Sequence, residues 1–168
     1  MTDSVAAPAP AVADTATGPQ VVLQKIYLKD GSIELPNAPG IFTKQEQPNI
    51  DLQLNTNALN LGSDNYQVTI SATVTAKLAT GEVAFLIEVH QCGIFGIRNF
   101  PNVEEVEAVL GTYCLQQIFP FARESVADLI QRAGFPPILL QPVNFDALYV
   151  QHRNQRAAAA AAAPATTH

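Results

Sequence analysis

Charged residues are scarce in this sequence. Asp, Glu, Lys and Arg make up 14% of its 168 residues, against about a quarter in typical soluble proteins. A small domain with so few charges has difficulty covering its surface with polar groups, so part of its apolar surface is expected to face a partner. Alanines near both ends contribute to the hydrophobic share of 48%, so the apolar excess of the folded part is smaller than that share suggests.

Basic residues are fewer than acidic ones. Nine Lys and Arg against fifteen Asp and Glu give a net charge of −6, and the basic residues are scattered along the chain. Binding to a nucleic-acid backbone needs a clustered basic surface. The composition therefore predicts a protein that does not bind nucleic acid, and the length fits a single domain.

The sequence has only two cysteines, Cys92 and Cys114, and they form no CxxC pair. Their spacing does not fit a zinc site, and two free thiols in a reducing compartment are favoured over one disulfide. The first twenty residues contain no Lys or Arg, and prolines interrupt their apolar stretches, which does not fit a signal peptide. No run approaches the ~20 apolar residues that span a bilayer. We therefore expect a cytoplasmic protein that does not insert into membranes.

Catalytic motifs are also missing. The sequence has no phosphate-binding glycine loop, no nucleophile elbow and no zinc-protease helix. Glu104, Glu105 and Glu107 cluster like an acid/base group, but acidic residues in a first helical turn more simply complement the helix dipole. The three histidines lie far apart, and Cys114 on an apolar helical face is best explained by core packing. We predict no catalytic residues, no metal, no cofactor and no enzymatic activity.

Composition divides the chain into three parts. Residues 1–20 are rich in Ala, Pro and Thr and are predicted to be a disordered arm. Residues 21–156 are predicted to form the folded domain. Residues 157–168 form an alanine-rich low-complexity tail that can extend a preceding helix until Pro164 stops it.

Four strands are predicted from alternation. The clearest covers residues 66–78, where apolar residues alternate with Thr, Ser, Gln and Lys, which indicates one dry and one wet face. Thr80 and Gly81 turn the chain into a strand over residues 83–91, which should pair antiparallel with the preceding one. Earlier strands begin near Val22, with a bulge at Gly31, and near Ile50.

Helical spacing follows the strands. Asn102 is predicted to cap a helix whose first turn carries Glu105, and Pro120 is predicted to break or kink that helix. A second stretch ends at Gly134, and Asn144 caps a short last helix. Four strands followed by helices predict an α+β fold with a four-stranded antiparallel sheet, a kinked long helix and a short C-terminal helix.

The fourth predicted strand has apolar residues on both faces. Ile87 and Val89 point one way, whereas Leu86 and Glu88 point the other. Two interpretations remain open from the residues alone. Either the strand is buried on both sides with a satisfied carboxylate, or one face meets another subunit or a partner and leaves Glu88 accessible.

Six short blocks resemble the SecB export-chaperone family. They occur in the same order as in that family, and the match runs from about Val21 to His152, essentially the whole folded part. The blocks are residues 26–30 (IYLKD), 36–39 (PNAP), 84–89 (AFLIEV), 93–95 (GIF), 119–124 (FPFARE) and 142–148 (PVNFDAL). The resemblance implies a homotetramer, a dimer of dimers, that binds unfolded secretory precursors without ATP or metal. It also implies delivery of these clients to SecA, whose zinc-bearing C-terminal segment docks on an acidic patch of the sheet.

The resemblance also implies roles for individual residues. The matching SecA-binding positions are Asp30, Glu34, Leu86 and Glu88, although Asp30 and Glu34 also fit ordinary solvated strand charges. The positions at which the family packs subunits together are Ile87, Val89 and Gln91. The client-binding groove is expected to be lined by Ile41, Phe42, Phe145, Leu148 and Tyr149.

Three features depart from the family, and one of them is the long Ala- and Pro-rich arm at the start. Glu46 stands where some relatives carry an aromatic residue, and the alanine-rich tail differs from their more acidic tails. Two alternatives to an export chaperone are a SecB-like holdase of another pathway, such as one associated with a toxin and its antitoxin, and a small-molecule-binding α+β domain.

Overall fold

The computed structural model describes residues 17–162, with side chains up to residue 158. The predicted arm lies mostly outside these residues, as does the end of the predicted tail. Seven elements follow one another, with a short 3-10 turn, Gly40–Thr43, in the first connection. They are β1 (Gln20–Glu34), β2 (Asn49–Gly62), β3 (Asn65–Lys77), β4 (Val83–Arg98), α1 (Val103–Gly111), α2 (Tyr113–Arg132) and α3 (Phe145–Ala162).

The four strands form one antiparallel sheet in the order β1-β4-β3-β2. Tight turns join β2 to β3 and β3 to β4, and Gly62 and Gly81 adopt positive φ in them, a conformation that glycine tolerates without strain. The chain crosses from β1 on one edge to β2 on the other through residues 35–48. The predicted α+β fold with a four-stranded antiparallel sheet is confirmed.

The α2 helix covers one face of this sheet. It packs on β4, β3 and β1, and the even residues of β3 face it together with the odd residues of β4. The side chains packed in this layer are largely fully buried and include Ile70, Val74, Phe85, Ile118 and Val126. The strict alternation in β3 therefore produces a core face and a polar face, as predicted.

The strands differ in length from their predictions. The β4 strand continues beyond its predicted end at residue 91, to Arg98, and β2, which is predicted to begin near Ile50, runs from Asn49 to Gly62. The β1 strand is continuous, with register shifts between Leu23 and Lys25 and between Leu28 and Asp30. The bulge predicted at Gly31 therefore lies just before that residue.

The first helix begins as predicted but ends elsewhere. The Asn102 side chain accepts a hydrogen bond from the backbone N–H of Glu105 at 2.8 Å and donates to its carboxylate at 3.0 Å. The predicted bent long helix is confirmed, but its interruption lies at Thr112 and not at Pro120, which lies inside α2. The carbonyl of Gln116 loses its partner to Pro120, but Gln116 is exposed, so water can solvate that carbonyl.

The ends of α2 and the start of α3 follow the predictions. Gly134 adopts a φ of +84° just after α2, which suits a helix-terminating glycine. The Asn144 side chain accepts a hydrogen bond from the Ala147 N–H at 3.0 Å. The α3 helix then runs for 18 residues, because the alanines that follow Arg156 continue it.

Candidate functional site

The polar face of the sheet carries the predicted acidic patch. Cross-strand pairing places Asp30 beside His90, Ser32 beside Glu88, and Glu34 beside Leu86. Since directly paired residues share a face, the three carboxylates and Leu86 lie on one area of β1 and β4. We call Asp30, Glu34, Leu86 and Glu88 the acidic patch. The structure brings together all four residues that the resemblance implied.

The acidic patch is open to solvent. Asp30, Glu34 and Glu88 are exposed and Leu86 is half-buried. On the other side of β4, the β3 residues Ser71, Thr73 and Thr75 offer only hydroxyl groups. Within residues 17–162, neither of the two ion pairs, Lys44–Glu82 and Arg132–Asp128, involves the patch. In the single subunit the Glu88 carboxylate is therefore accessible and not buried, and the contact of one face of β4 with another subunit or partner stays a prediction.

A buried thiol lies further along the same face. Cys92 is fully buried, and its sulfur is 3.2 Å from the Thr69 hydroxyl. The neighbouring Tyr27 donates a hydrogen bond to the Gln67 side chain at 2.7 Å. Burial, together with the Cys92 sulfur, raises the pKa of Tyr27 above its ordinary value. Both cysteines are free and buried, as predicted.

The first apolar cavity lies where the 35–48 crossover meets the end of α2. Its volume is about 470 Å³, and it is lined by Ile41, Phe42 and Glu46 of the crossover and by residues 134–138. The Phe135 ring centroid lies 5.4 Å from that of Phe42 and 5.0 Å from that of Phe85. Phe42 is 51% exposed whereas Ile41 is buried. Ile41 therefore forms the floor of the cavity, and half of the Phe42 ring is free.

Sequence reasoning missed Phe135. It follows the glycine that ends α2 and belongs to a connector with two prolines, so its position in a loop gave no periodic signal. Glu46 lines the same cavity. The first cavity therefore combines an aromatic wall with the carboxylate of Glu46, the residue that departs from the family pattern.

The second cavity lies between β2, α1 and α3. Its volume is about 520 Å³, and Val103, Val106 and Tyr149 are among the residues that line it. Tyr149 packs against the end of α1 so closely that a Cβ on Gly111 would lie 2.6 Å from its ring. The Tyr149 ring can therefore pack here only because Gly111 has no side chain.

The five predicted groove residues do not line one common cavity. Phe145 is 2% exposed and packs edge-on against Phe119 at 5.5 Å, so the prediction that it lines a groove is wrong, because it belongs to the core. Leu148 is 37% exposed but lies outside the lining of both cavities. Ile41 and Phe42 line one cavity, and Tyr149 lines the other.

An uncovered strip of β2 connects the two cavities. Ile50 and Leu52 face the helical side of the sheet but are 39% and 36% exposed, because α2 packs on β4, β3 and β1. Ile50 lines the first cavity and Ala58 the second. We call this strip with its two terminal cavities the apolar trough.

The predicted subunit-contact residues lie inside the subunit. Ile87 and Val89 have no exposed surface, and Gln91 is 3% exposed under α2, where the Ser125 hydroxyl donates to its side chain at 3.3 Å. The expectation that they contact a second subunit directly is corrected, because their own α2 helix already covers this face of β4. These three residues can affect assembly only indirectly, by holding α2 in place.

Three further observations bear on chemistry and on membranes. No group of three or more His, Cys, Asp or Glu residues within the described part of the chain is arranged to hold a metal ion. Burial raises the pKa of the Cys114 thiol to about 12, so the thiol is neutral core material. Over residues 17–162, no helix is long and apolar enough to cross a bilayer.

The fold is similar to that of a solved SecB-like protein. A SecB-like chaperone from Mycobacterium tuberculosis, solved in complex with a peptide from the HigA1 antitoxin, matches with a TM-score of 0.63 and covers 74% of this chain and 91% of its own. Because the two chains are 20% identical, this likeness concerns the fold alone.

Sequence relatives identify the family. The family model of the preprotein translocase subunit SecB matches residues 14–156. The protein-export protein SecB of Chromobacterium violaceum is 50% identical over 141 residues, which are 84% of this chain and 93% of that protein. The protein of the same name from Methylobacillus flagellatus is 46% identical over 150 residues, 89% of this chain and 92% of that protein. The chain therefore belongs to the SecB family and is a protein-export chaperone, which confirms the resemblance of the six blocks.

Proposed function

We propose that this chaperone binds unfolded secretory precursors in the apolar trough, assembles as a homotetramer in the cytoplasm, and delivers its clients to SecA without ATP. The observation that carries the proposal is the separation of two surfaces on one sheet. The apolar trough lies on the helical side of β2, whereas the acidic patch lies on the opposite face of β1 and β4. One subunit can therefore hold a client and dock on a partner at the same time.

The trough suits an extended chain without a defined sequence. Ala58 follows Ile50 by eight residues on β2, so the strip between the cavities is about 27 Å long at ~3.4 Å per residue. A client segment of similar length would place apolar side chains on Ile50 and Leu52 and insert an aromatic or aliphatic group at each end. Contacts of this kind select for apolar content rather than for a particular sequence.

The edge of β2 adds backbone recognition. Within the described residues β2 pairs only with β3, so its other side presents free N–H and C=O groups over 14 residues. Unfolded clients carry unpaired backbone groups of their own, and an extended segment can pair with such an edge. Folded proteins have already satisfied these groups, so the edge favours unfolded clients.

Assembly multiplies weak contacts. We infer a homotetramer built as a dimer of dimers, in which Ile87, Val89 and Gln91 contribute by holding α2 in place. Exposed apolar residues on the outer side of α2, such as Tyr113 and Phe121, are 45% and 47% exposed and are suited to direct contacts. Four troughs on one particle raise the local concentration of sites, which strengthens binding of a long client by roughly 10²–10⁴.

The acidic patch is proposed to bind the zinc-bearing C-terminal segment of SecA. Replacing Asp30, Glu34 and Glu88 by Lys tests this: binding of that segment is expected to be lost while client binding stays intact. A control that replaces Glu104, Glu107 and Glu124 by Lys changes the net charge equally, away from the patch, and should retain SecA binding. Unchanged affinity in the patch variant would rule out the docking surface.

The alternative of a holdase for an antitoxin pathway is less well supported. The SecB-like chaperone with an antitoxin peptide shares 20% identity, whereas the export proteins share up to 50% over most of the chain. Measuring whether the wild-type protein binds SecA distinguishes the two functions, because an antitoxin-specific chaperone would hold clients without binding SecA.

A further inference from the structure

A histidine lies in the middle of the acidic patch. His90 pairs with Asp30 of β1 on one side and with Ser71 of β3 on the other. Glu88 precedes it by two residues on the same strand and therefore shares its face. The only other histidine among residues 17–162 is His152, which belongs to α3.

The surroundings of His90 contain two carboxylates, and the nearest basic residue of β1 is Lys29, which directly precedes Asp30 in the register shift. From β3 it faces the Ser71 hydroxyl, whose oxygen lies 3.4 Å from Nδ1. From β1 it faces the Asp30 carboxylate, and along its own strand the Glu88 carboxylate and the buried Cys92 thiol.

Two basic residues of β1 lie at different distances along the strand from this position. Lys25 pairs with Ile94, which is four residues and so about 14 Å along β4 from His90. Lys29 lies within the register shift between Leu28 and Asp30. Across residues 17–162 no helix packs over this face, since α2 covers the opposite one.

We propose that His90 makes docking on the acidic patch sensitive to pH, so that a partner with cationic groups binds when the imidazole is neutral and is released when it is protonated. This inference rests on the proposed docking surface. Histidine is the side chain whose ordinary titration falls between about pH 5 and pH 8. A proton on His90 replaces part of the negative field of Asp30, Glu34 and Glu88 with a positive charge at its centre.

Linkage gives the effect a second signature. A partner that prefers neutral His90 must displace the proton when it binds, by reciprocity between the two equilibria. Binding below neutral pH should therefore release protons into the buffer. At neutral or higher pH, little or no proton release should accompany binding.

The probe for the experiment is the isolated zinc-loaded C-terminal segment of SecA. Its affinity is measured by calorimetry at about pH 6 and about pH 8, in two buffers with different ionisation enthalpies. For the wild-type protein we expect binding to weaken about threefold to tenfold at the lower pH, the range of one partly exposed charge interaction. His90→Gln should keep tight binding at both pH values and release no protons, and His90→Lys should bind weakly at both.

The variants separate the origins of a pH effect. An equal loss in His90→Gln would place the titrating group in the SecA segment and would overturn the proposal, as would pH-independent binding of the wild-type protein. If the wild-type protein fails to bind at pH 8, the docking surface itself is wrong and the inference falls with it. Client binding should be the same in all three proteins, because the apolar trough lies on the other face.

Discussion

Replacing Phe42 by alanine removes the exposed half of the aromatic wall in the first cavity. The Phe42 ring is 51% exposed, which corresponds to about 100 Å² of apolar surface for a side chain that buries about 200 Å². At ~25 cal/mol per Å², full coverage of that surface by a client is worth about 2.5 kcal/mol. A client covers part of it, so we expect client affinity to fall about tenfold, with an upper bound of about 70-fold.

A permanently unfolded client, such as a reduced and carboxymethylated protein with a fluorescent label, allows this to be measured by anisotropy. Leu59→Ala is the matched control, because Leu59 is 52% exposed but pairs with Gln67 on the polar face. The control should bind the client as the wild-type protein does. Equal affinities for Phe42→Ala and the wild-type protein, with both variants folded by circular dichroism, would refute the assignment of the first cavity to client binding.

Three further predictions concern stability. Replacing a helical glycine by alanine normally stabilises a protein by about 0.5–1 kcal/mol. Gly111→Ala should instead lower the free energy of unfolding in urea by about 1–2 kcal/mol, because its Cβ would meet the Tyr149 ring at 2.6 Å. In a protein that already carries Tyr149→Ala, the same glycine replacement should be stabilising. Val89→Ala should lower the free energy of unfolding by about 2 kcal/mol without weakening assembly at high protein concentration, and a shift to smaller oligomers with no loss of subunit stability would contradict its core position. The pKa of Cys114 is raised from 9.0 to about 12 in the fold, so the native state holds the thiol proton more tightly and stability is complete below pH 9 and lost as the pH rises towards 12. Cys114→Ala should therefore lose less stability than the wild-type protein between pH 8 and pH 10.5, by up to about 2 kcal/mol, and equal losses would contradict the burial of the thiol.

Alternation in the sequence predicts strands in which a single face is buried. It fails where neither face is buried and where both faces are buried. In β3 every second residue is apolar and buried, so alternation marks nearly its full length. The second half of β2 is an exposed edge with no buried residue, so no periodic apolar signal exists there. The end of β4 contains Gly93 and Gly96 and is buried on both faces, which removes alternation in the opposite way.

The helix break was misplaced because local rules compete with tertiary packing. Pro120 removes one hydrogen bond, but α2 buries Ile118 and Ala122 on either side of it, and this packing outweighs the lost bond. The break at Thr112 follows Gly111, whose small size admits Tyr149. Contacts between distant segments of this kind are not encoded in local spacing.

The family resemblance implies the acidic patch, and the strand register explains why its residues lie together. The acidic patch comes from β1 and β4, so the register places Asp30, Glu34 and Glu88 together once the two strands are neighbours. The apolar trough depends on what α2 leaves uncovered and on Phe135 in a loop. The family resemblance places Phe145 in a groove, whereas the structure packs it in the core.

The refolding rate of a denatured secretory precursor, diluted into buffer with and without the purified protein, tests the central claim most directly. A protein that binds unfolded chains and not folded ones opposes folding by mass action. We predict that refolding slows in proportion to added protein and nearly stops when binding sites exceed the precursor. Refolding at the same rate with and without an excess of the protein would contradict the account.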